Sequence, residues 1–315
     1  VKTSSINASV TEPVGLAIGR MKRLLFQPFD LERWFAIGFT AWLASLAEPG
    51  FGGGFNFRQP GGGRRRNAGF DQVRDFVMEN LVWLLPLAVV LVVLGIGLWI
   101  LFTWLSSRGH FMFLHCVATE KAEVAAPWRE FAREGNSLFV FRLVLGLTGG
   151  VVLLPTMGLT GFILHQVFGN GDGTMQPGGV IALVALVLTM VGVGVSLAAI
   201  VMLTTDFVVP IMFLRRCRCR AAWGEFLTLL SANIGDFVVY LLFRLALGIG
   251  LAVLVFLVVI ATCCIAGCLM ALPYLGTVFL LPLLMFTRCY SLCYLAQYGR
   301  EYEVFAVPAA GAPAV

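Results

Sequence analysis

The chain has 315 residues, of which 59% are hydrophobic and only 12% charged, with a formal net charge of +5 at pH 7 and a mean hydropathy of +0.90. Soluble domains carry about 45–50% apolar and about 25% charged residues, so an ordinary soluble domain is excluded and a bilayer is the expected environment. No nucleic-acid partner is expected.

In chain order, residues 1–33 read as a cytoplasmic amphipathic segment. Val14, Ile18, Met21 and Leu25 line one helical face, while Arg20, Lys22 and Arg23 fall mostly elsewhere. Residues 1–30 lack a compact apolar core followed by a small-residue cleavage site, so no cleavable signal peptide is expected. The first candidate span, 34–47, has about 14 apolar residues and reaches only about 21 Å as a helix. It crosses a bilayer only by recruiting 31–33, Glu48 or the residues after Pro49; the alternative is a re-entrant or interfacial segment. The loop 49–75 is rich in Gly and holds Arg64-Arg65-Arg66. No Lys-Ser or Lys-Thr pair and no preceding strand accompany its glycines, so it reads as a flexible linker and not as a phosphate-binding loop.

Runs 81–105 and 180–205 are uncharged and exceed the roughly 20 residues a spanning helix needs. Run 143–164 is also uncharged, although Gly149, Gly150, Pro155, Gly158 and Gly161 interrupt it. Between Arg244 and Arg288 no charge occurs, which leaves room for two crossings with a turn near 267–276, where Pro273-Tyr274 supplies a break and an interfacial aromatic. The excess of Lys and Arg in short cytoplasmic loops then favours six spans with both termini cytoplasmic, the triple arginine being the single disagreement. Preference for Arg over Lys and compact loops point to a bacterial inner membrane.

Three stretches share a signature: Met112-Phe113-Leu114-His115, Met212-Phe213-Leu214-Arg215 and Met285-Phe286-Thr287-Arg288. The first two lead into basic residues, then Trp128-Arg129-Glu130-Phe131 and Trp223-Gly224-Glu225-Phe226. The chain therefore reads as an all-α polytopic bundle: a single domain of three hairpins, each preceded by an amphipathic segment. The units are 1–33 with hairpin 34–106, then 107–215, then 216–300, with 301–315 as a flexible tail. Arg142-Leu143-Val144-Leu145-Gly146 matches Arg244-Leu245-Ala246-Leu247-Gly248, and Trp34-Phe35-Ala36-Ile37-Gly38 is a looser third copy. Gly38, Gly146 and Gly248 mark either a shared close-packing surface or a hinge.

With Phe26-Gln27-Pro28-Phe29, the Trp-x-Glu-Phe segments and the ending Arg288-Cys289-Tyr290-Ser291-Leu292, the chain resembles a family of bacterial six-helix membrane proteins of unassigned role. That family is similar to the membrane domain found beside glycerophosphodiester phosphodiesterases. The resemblance implies a stand-alone membrane module, and no phosphodiesterase catalytic domain accompanies it.

Arg142, Arg244 and Arg288 stand at equivalent hairpin edges. They read either as snorkelling side chains or as a cation ring for lipid phosphate, since Arg offers a planar fork to phosphate oxygens. His115 and Arg215 hold the place of Arg288 in the other copies, and Trp128 and Trp223 are interfacial candidates. Asp206 and Asp236 lie at span ends with Arg244 as a partner for either, as caps, salt bridges or coupling groups. His165 is alone near the end of span three. Cys263, Cys264 and Cys268 cluster, and Cys289 and Cys293 are spaced i, i+4. Zinc-site spacing is absent, so they read as packed small hydrophobes or as soft ligands for a copper(I)-like ion. Neither a metal nor another cofactor is expected.

No paired acids, nucleophile beside a base or metal set is assembled, so an enzyme is not expected. The favoured function is a non-catalytic module that binds membrane lipids or partner membrane proteins, self-association included. The alternative is a transporter or channel for a small solute, for which a cavity lined by Asp206, His165 and Thr160 would be the mark.

Overall fold

The computed structural model describes residues 9–27, 29–48, 79–120, 125–169, 177–262 and 265–306. Every regular element among them is helical. The Arg64–Arg66 loop, Cys263, Cys264 and the 170–176 connection lie outside the described residues.

Helix α1 (Glu12–Phe26) carries Pro13 in its first turn, where a missing N–H is harmless. Helix α2 (Leu31–Ser45) starts on Asp30, whose carboxylate accepts the Glu32 N–H at 3.0 Å. Then come α3 (Leu81–Thr119), α4 (Ala125–Glu130), α5 (Ala132–Gly169) and α6 (Pro177–Leu203). A π-helical turn, Thr204–Val208, joins α6 to α7 (Val209–Arg215), and α8 (Cys219–Ala232) and α9 (Ile234–Ala261) follow. The chain closes with the short α10 (Ile265–Ala271) and α11 (Pro273–Phe279), and with α12 (Leu281–Ala296). Pro86 and Pro155 stay inside α3 and α5 without ending them.

Among the described residues four helical stretches are long and apolar enough to cross a membrane: Val82–Thr119, Ala132–Gln166, Gly178–Arg215 and Ile234–Ala261. They contain the second to fifth candidate spans. The first and sixth correspond to α2 and α12, of 15 and 16 residues, or about 22 and 24 Å of helix. The charge-free interval after Arg244 is thus one long helix followed by three shorter ones, with the break at Leu272 before Pro273.

Burial divides each long helix. In α3, residues from Val82 to Phe102 are exposed and apolar, whereas Phe111 to Ala118 are buried. The exposed part is about 31 Å long, close to the ~30 Å of bilayer hydrocarbon. The protein core therefore sits at one end of the bundle, where the amphipathic segments gather. There α1 packs on α12, α4 and the start of α5 pack on α3, and α8 packs on α7 and the π turn. Each amphipathic segment thus covers the exit helix of another repeat, and one contiguous apolar cluster runs from Ala17 to Val304. Met112, Met212 and Met285 are all buried, the last two within this cluster. Phe131 stacks between Phe111 and Phe213, with ring centroids at 5.9 and 4.9 Å, and Phe226 stacks on Phe207 at 5.4 Å. The two Trp-x-Glu-Phe segments owe their spacing to these anchors.

Two expectations need correction. Residues 301–306 are not the start of a loose tail: Tyr302 and Val304 are buried, Tyr302 donates to Glu225 at 2.9 Å, and the Arg20 guanidinium lies 3.7 Å from the centre of the Phe305 ring. The glycine surface holds for two of its three members. A Cβ on Gly38 would stand 2.7 Å from Val278 and one on Gly146 2.8 Å from Trp99, but one on Gly248 would meet nothing within 4 Å.

Candidate functional site

Where the apolar outer halves of the helices meet the packed base, charged side chains from all three repeats converge. The repeat sets this up in register. Arg142 donates to Ser106 at 3.1 Å and Arg244 to Asp206 at 3.4 Å; Ser106 and Asp206 stand at the same distance before Met112 and Met212. Trp34, in the place of those arginines, donates its indole N–H to the Val278 carbonyl at 3.1 Å. Each hairpin-entry side chain thus reaches the exit element of another hairpin, and the three contacts close a ring.

Within the ring, Arg142 Nη2 lies 2.9 Å from His110 Nε2 and donates to Thr205 Oγ1 at 3.3 Å. Glu48 stands 3.4 Å from His110 and 4.0 Å from Arg142. Asp206 accepts from Tyr240 at 2.9 Å as well as from Arg244. Arg288 donates through Nη1 to the Thr205 carbonyl, and Glu48 feels the charges of Arg142, Asp206, Arg288 and Arg244. The side chains of Asp206 and Arg142 are 6% and 8% exposed and that of Arg244 21%, so a group protruding into the headgroups describes Arg244 better than Arg142. Arg288, at 5% exposed, is interior. Three guanidinium groups thus face two acidic side chains, Glu48 and Asp206, so cations outnumber acids in the cluster.

Asp206 and Thr205 are placed by the π turn, in which Val209 N–H bonds to the Thr204 carbonyl. Such single turns are rare and are frequent at functional sites. They widen the helix locally, and here the turn presents both a carboxylate and a carbonyl to two arginines of the third repeat.

The other candidates lie apart. Arg215 is exposed and paired with Glu225 at 3.1 Å and Glu301 at 2.9 Å. His115 is buried beside Phe131 and Phe213, at 6.0 and 6.3 Å between ring centres. Trp128 meets Trp104 edge-on at 5.8 Å with the Arg108 guanidinium 5.0 Å from its ring, and Trp223 packs on Phe141 and Phe226. Asp236 keeps to the start of α9, where its carbonyl accepts from Tyr294 at 3.0 Å; Arg244 pairs with Asp206. His165 is exposed. Thr160 touches Met190, about 24 Å along the helix from Asp206, so the three markers of a solute cavity are not brought together.

Cys289 and Cys293 are buried free thiols and Cys268 is exposed. Cys219, whose thiol burial pushes up to about 12, is also buried and free. Among the described residues no group of three or more His, Cys, Asp or Glu is arranged to hold a metal ion.

The sequence reading missed Glu48, His110, Ser106, Thr205 and Tyr240. Ser106 carried a usable signal, its alignment with Asp206; Glu48 and Tyr240 had none, because their partners come from distant repeats.

Long apolar helices resting on a base with a buried ionic centre define a helical membrane protein. More particularly, the Family of unknown function (DUF7544) matches residues 8–305, and the chain belongs to that family. No curated protein and no solved structure matches it.

Proposed function

We propose that this protein is a non-enzymatic membrane module that binds lipids, and through the same surfaces partner membrane proteins or a second copy of itself. In this reading α2 and α12 complete six membrane elements in a bacterial inner membrane, with both termini and the amphipathic base on the cytoplasmic side. Kinship with the membrane domains found beside glycerophosphodiester phosphodiesterases belongs to the same proposal. One observation carries it. The outer halves of the four long helices are apolar and exposed, with no more than 11% of the most apolar window of any of them buried. Apolar faces that neighbouring helices leave so largely uncovered require lipid tails or another protein against them. Aromatic side chains at the base, Trp104, Trp128 and Trp223, suit the headgroup level.

Native mass spectrometry of the protein released from lipid nanodiscs tests this. A defined number of retained lipids, or a discrete oligomer, is the expected result. A bare monomer that conducts solute in proteoliposomes would sink it. That outcome would favour the second reading, a transporter, whose one supporting observation is a charged cluster on a π turn.

A further inference from the structure

We infer that Arg288 is the centre of a binding site for a phosphate-type oxyanion, assembled from all three repeats. Its guanidinium is buried, Nη1 is engaged by the Thr205 carbonyl, and Nε and Nη2 are buried without a hydrogen-bond partner. Those two nitrogens form one edge of the guanidinium plane, the edge that grips two oxygens of a single phosphate or carboxylate side-on. An unpaired donor on a buried cation is far less tolerable than on a neutral group, so this edge calls for an acceptor.

Among the described residues no neighbour supplies one. Asp206 is held by Tyr240 and Arg244, and Glu48 by His110 and Arg142. Arg142 is itself occupied by Ser106, His110 and Thr205. Of the cluster's three guanidinium groups, Arg288 alone has buried donors without a partner among the described residues, and with three cations against two acids an anion of single charge such as a phosphodiester suits that edge. The level fits too: the cluster lies where α3 passes from lipid-exposed Phe102 to buried His110, the depth at which a lipid places its phosphate. The oxyanion is either that headgroup or free phosphate. This site rests on the lipid-binding reading only for the headgroup as its source.

The test follows thermal unfolding of the wild-type protein in phosphate-free detergent as inorganic phosphate is added. In parallel it compares nanodiscs of phosphatidylglycerol with nanodiscs of a neutral, phosphate-free glycolipid. The expected result is stabilisation by phosphate or by the phosphate-bearing lipid, with Arg288→Lys, which keeps the charge but loses the fork, weakening the response about tenfold. Arg215→Gln on the surface should leave it unchanged. Stabilisation by inorganic phosphate identifies the free anion; a response to phosphatidylglycerol alone identifies the headgroup. A wild type indifferent to both overturns the site and leaves water as the acceptor, and this result does not depend on any variant folding. Lipid retained equally by wild type and Arg288→Lys would overturn the site while leaving the lipid-binding reading intact.

Discussion

Asp206 should be the most sensitive polar residue of the base. Its carboxylate accepts from Tyr240 at 2.9 Å and Arg244 at 3.4 Å and is 6% exposed, so Asp206→Asn leaves Arg244 without a counter-charge. Removing one partner of a buried ion pair costs about 3–5 kcal/mol. Because Arg244 retains 21% exposure and can recover some hydration, a loss at the lower end, about 3 kcal/mol, is expected. Arg244→Met should cost about as much, and the double variant clearly less than the sum, with a coupling of about 1–3 kcal/mol. Unfolding in mixed detergent micelles, followed by tryptophan fluorescence, gives all four corners of the cycle. Single losses that add to within about 0.5 kcal/mol would mean that the pair does not interact, and the ring of inter-repeat contacts would lose its charged link.

The glycines divide sharply: a Cβ on Gly109 would lie 2.5 Å from the Ala44 backbone nitrogen, so Gly109→Ala should lower stability by about 1–3 kcal/mol or more, whereas Gly248→Ala, with open space around it, should be neutral in the same unfolding assay. Phe226→Ala, removing a fully buried ring stacked on Phe207, should cost about 3–5 kcal/mol. Trp34→Phe deletes the indole donor to Val278 and trims the ring that meets Phe26 and Phe29, and should cost at least about 1 kcal/mol; no loss would mean that neither contact holds the ring of repeats together. Since burial pushes the Cys219 thiol up to about 12, peptide mapping after iodoacetamide treatment at pH 8 should find it unmodified in the folded protein and modified once the chain is unfolded; rapid labelling in the folded state would show that α8 does not seal it.

The helices were legible in the sequence because lipid imposes a simple demand: a run of apolar residues long enough to cross must satisfy its own backbone bonds. That rule finds α3, α5, α6 and α9, and it is silent at α2 and α12, whose lengths are set by protein packing against α3 and α1. The Trp-x-Glu-Phe segments were legible as repeated amphipathic faces, but their partners Phe111, Phe207 and Phe213 were not, since stacking between repeats leaves no periodicity within one of them. Arg142, Arg244 and Arg288 were legible as charges at the edges of hairpins. Their depth was not, because a side chain at the end of a span looks the same whether it reaches out to the headgroups or turns inward. What turns these inward is the second half of each contact: Ser106 and Asp206 at one repeat position, Glu48 and His110 near it, and the Thr205 carbonyl on a π turn that no propensity predicts.

The same comparison explains why the copies have diverged where they have. A strictly repeated ring would place an arginine at Trp34 and acids at Ser106 and at Phe279, the matching place before Met285, giving a symmetric set of ion pairs with no charge left over. Tryptophan at 34 replaces one cation by a neutral donor that needs only the Val278 carbonyl, and serine at 106 removes the acid that would have matched Arg142. Arg142 then leans on His110 and on Glu48 from the end of α2, and Asp206 is held by Tyr240 and Arg244. Arg288, which has no counterpart among the entry residues, is left with one free edge. Buried charge without a partner is costly enough that such an edge persists only if something fills it. The break in symmetry, more than the repeat itself, is therefore what gives the base a site.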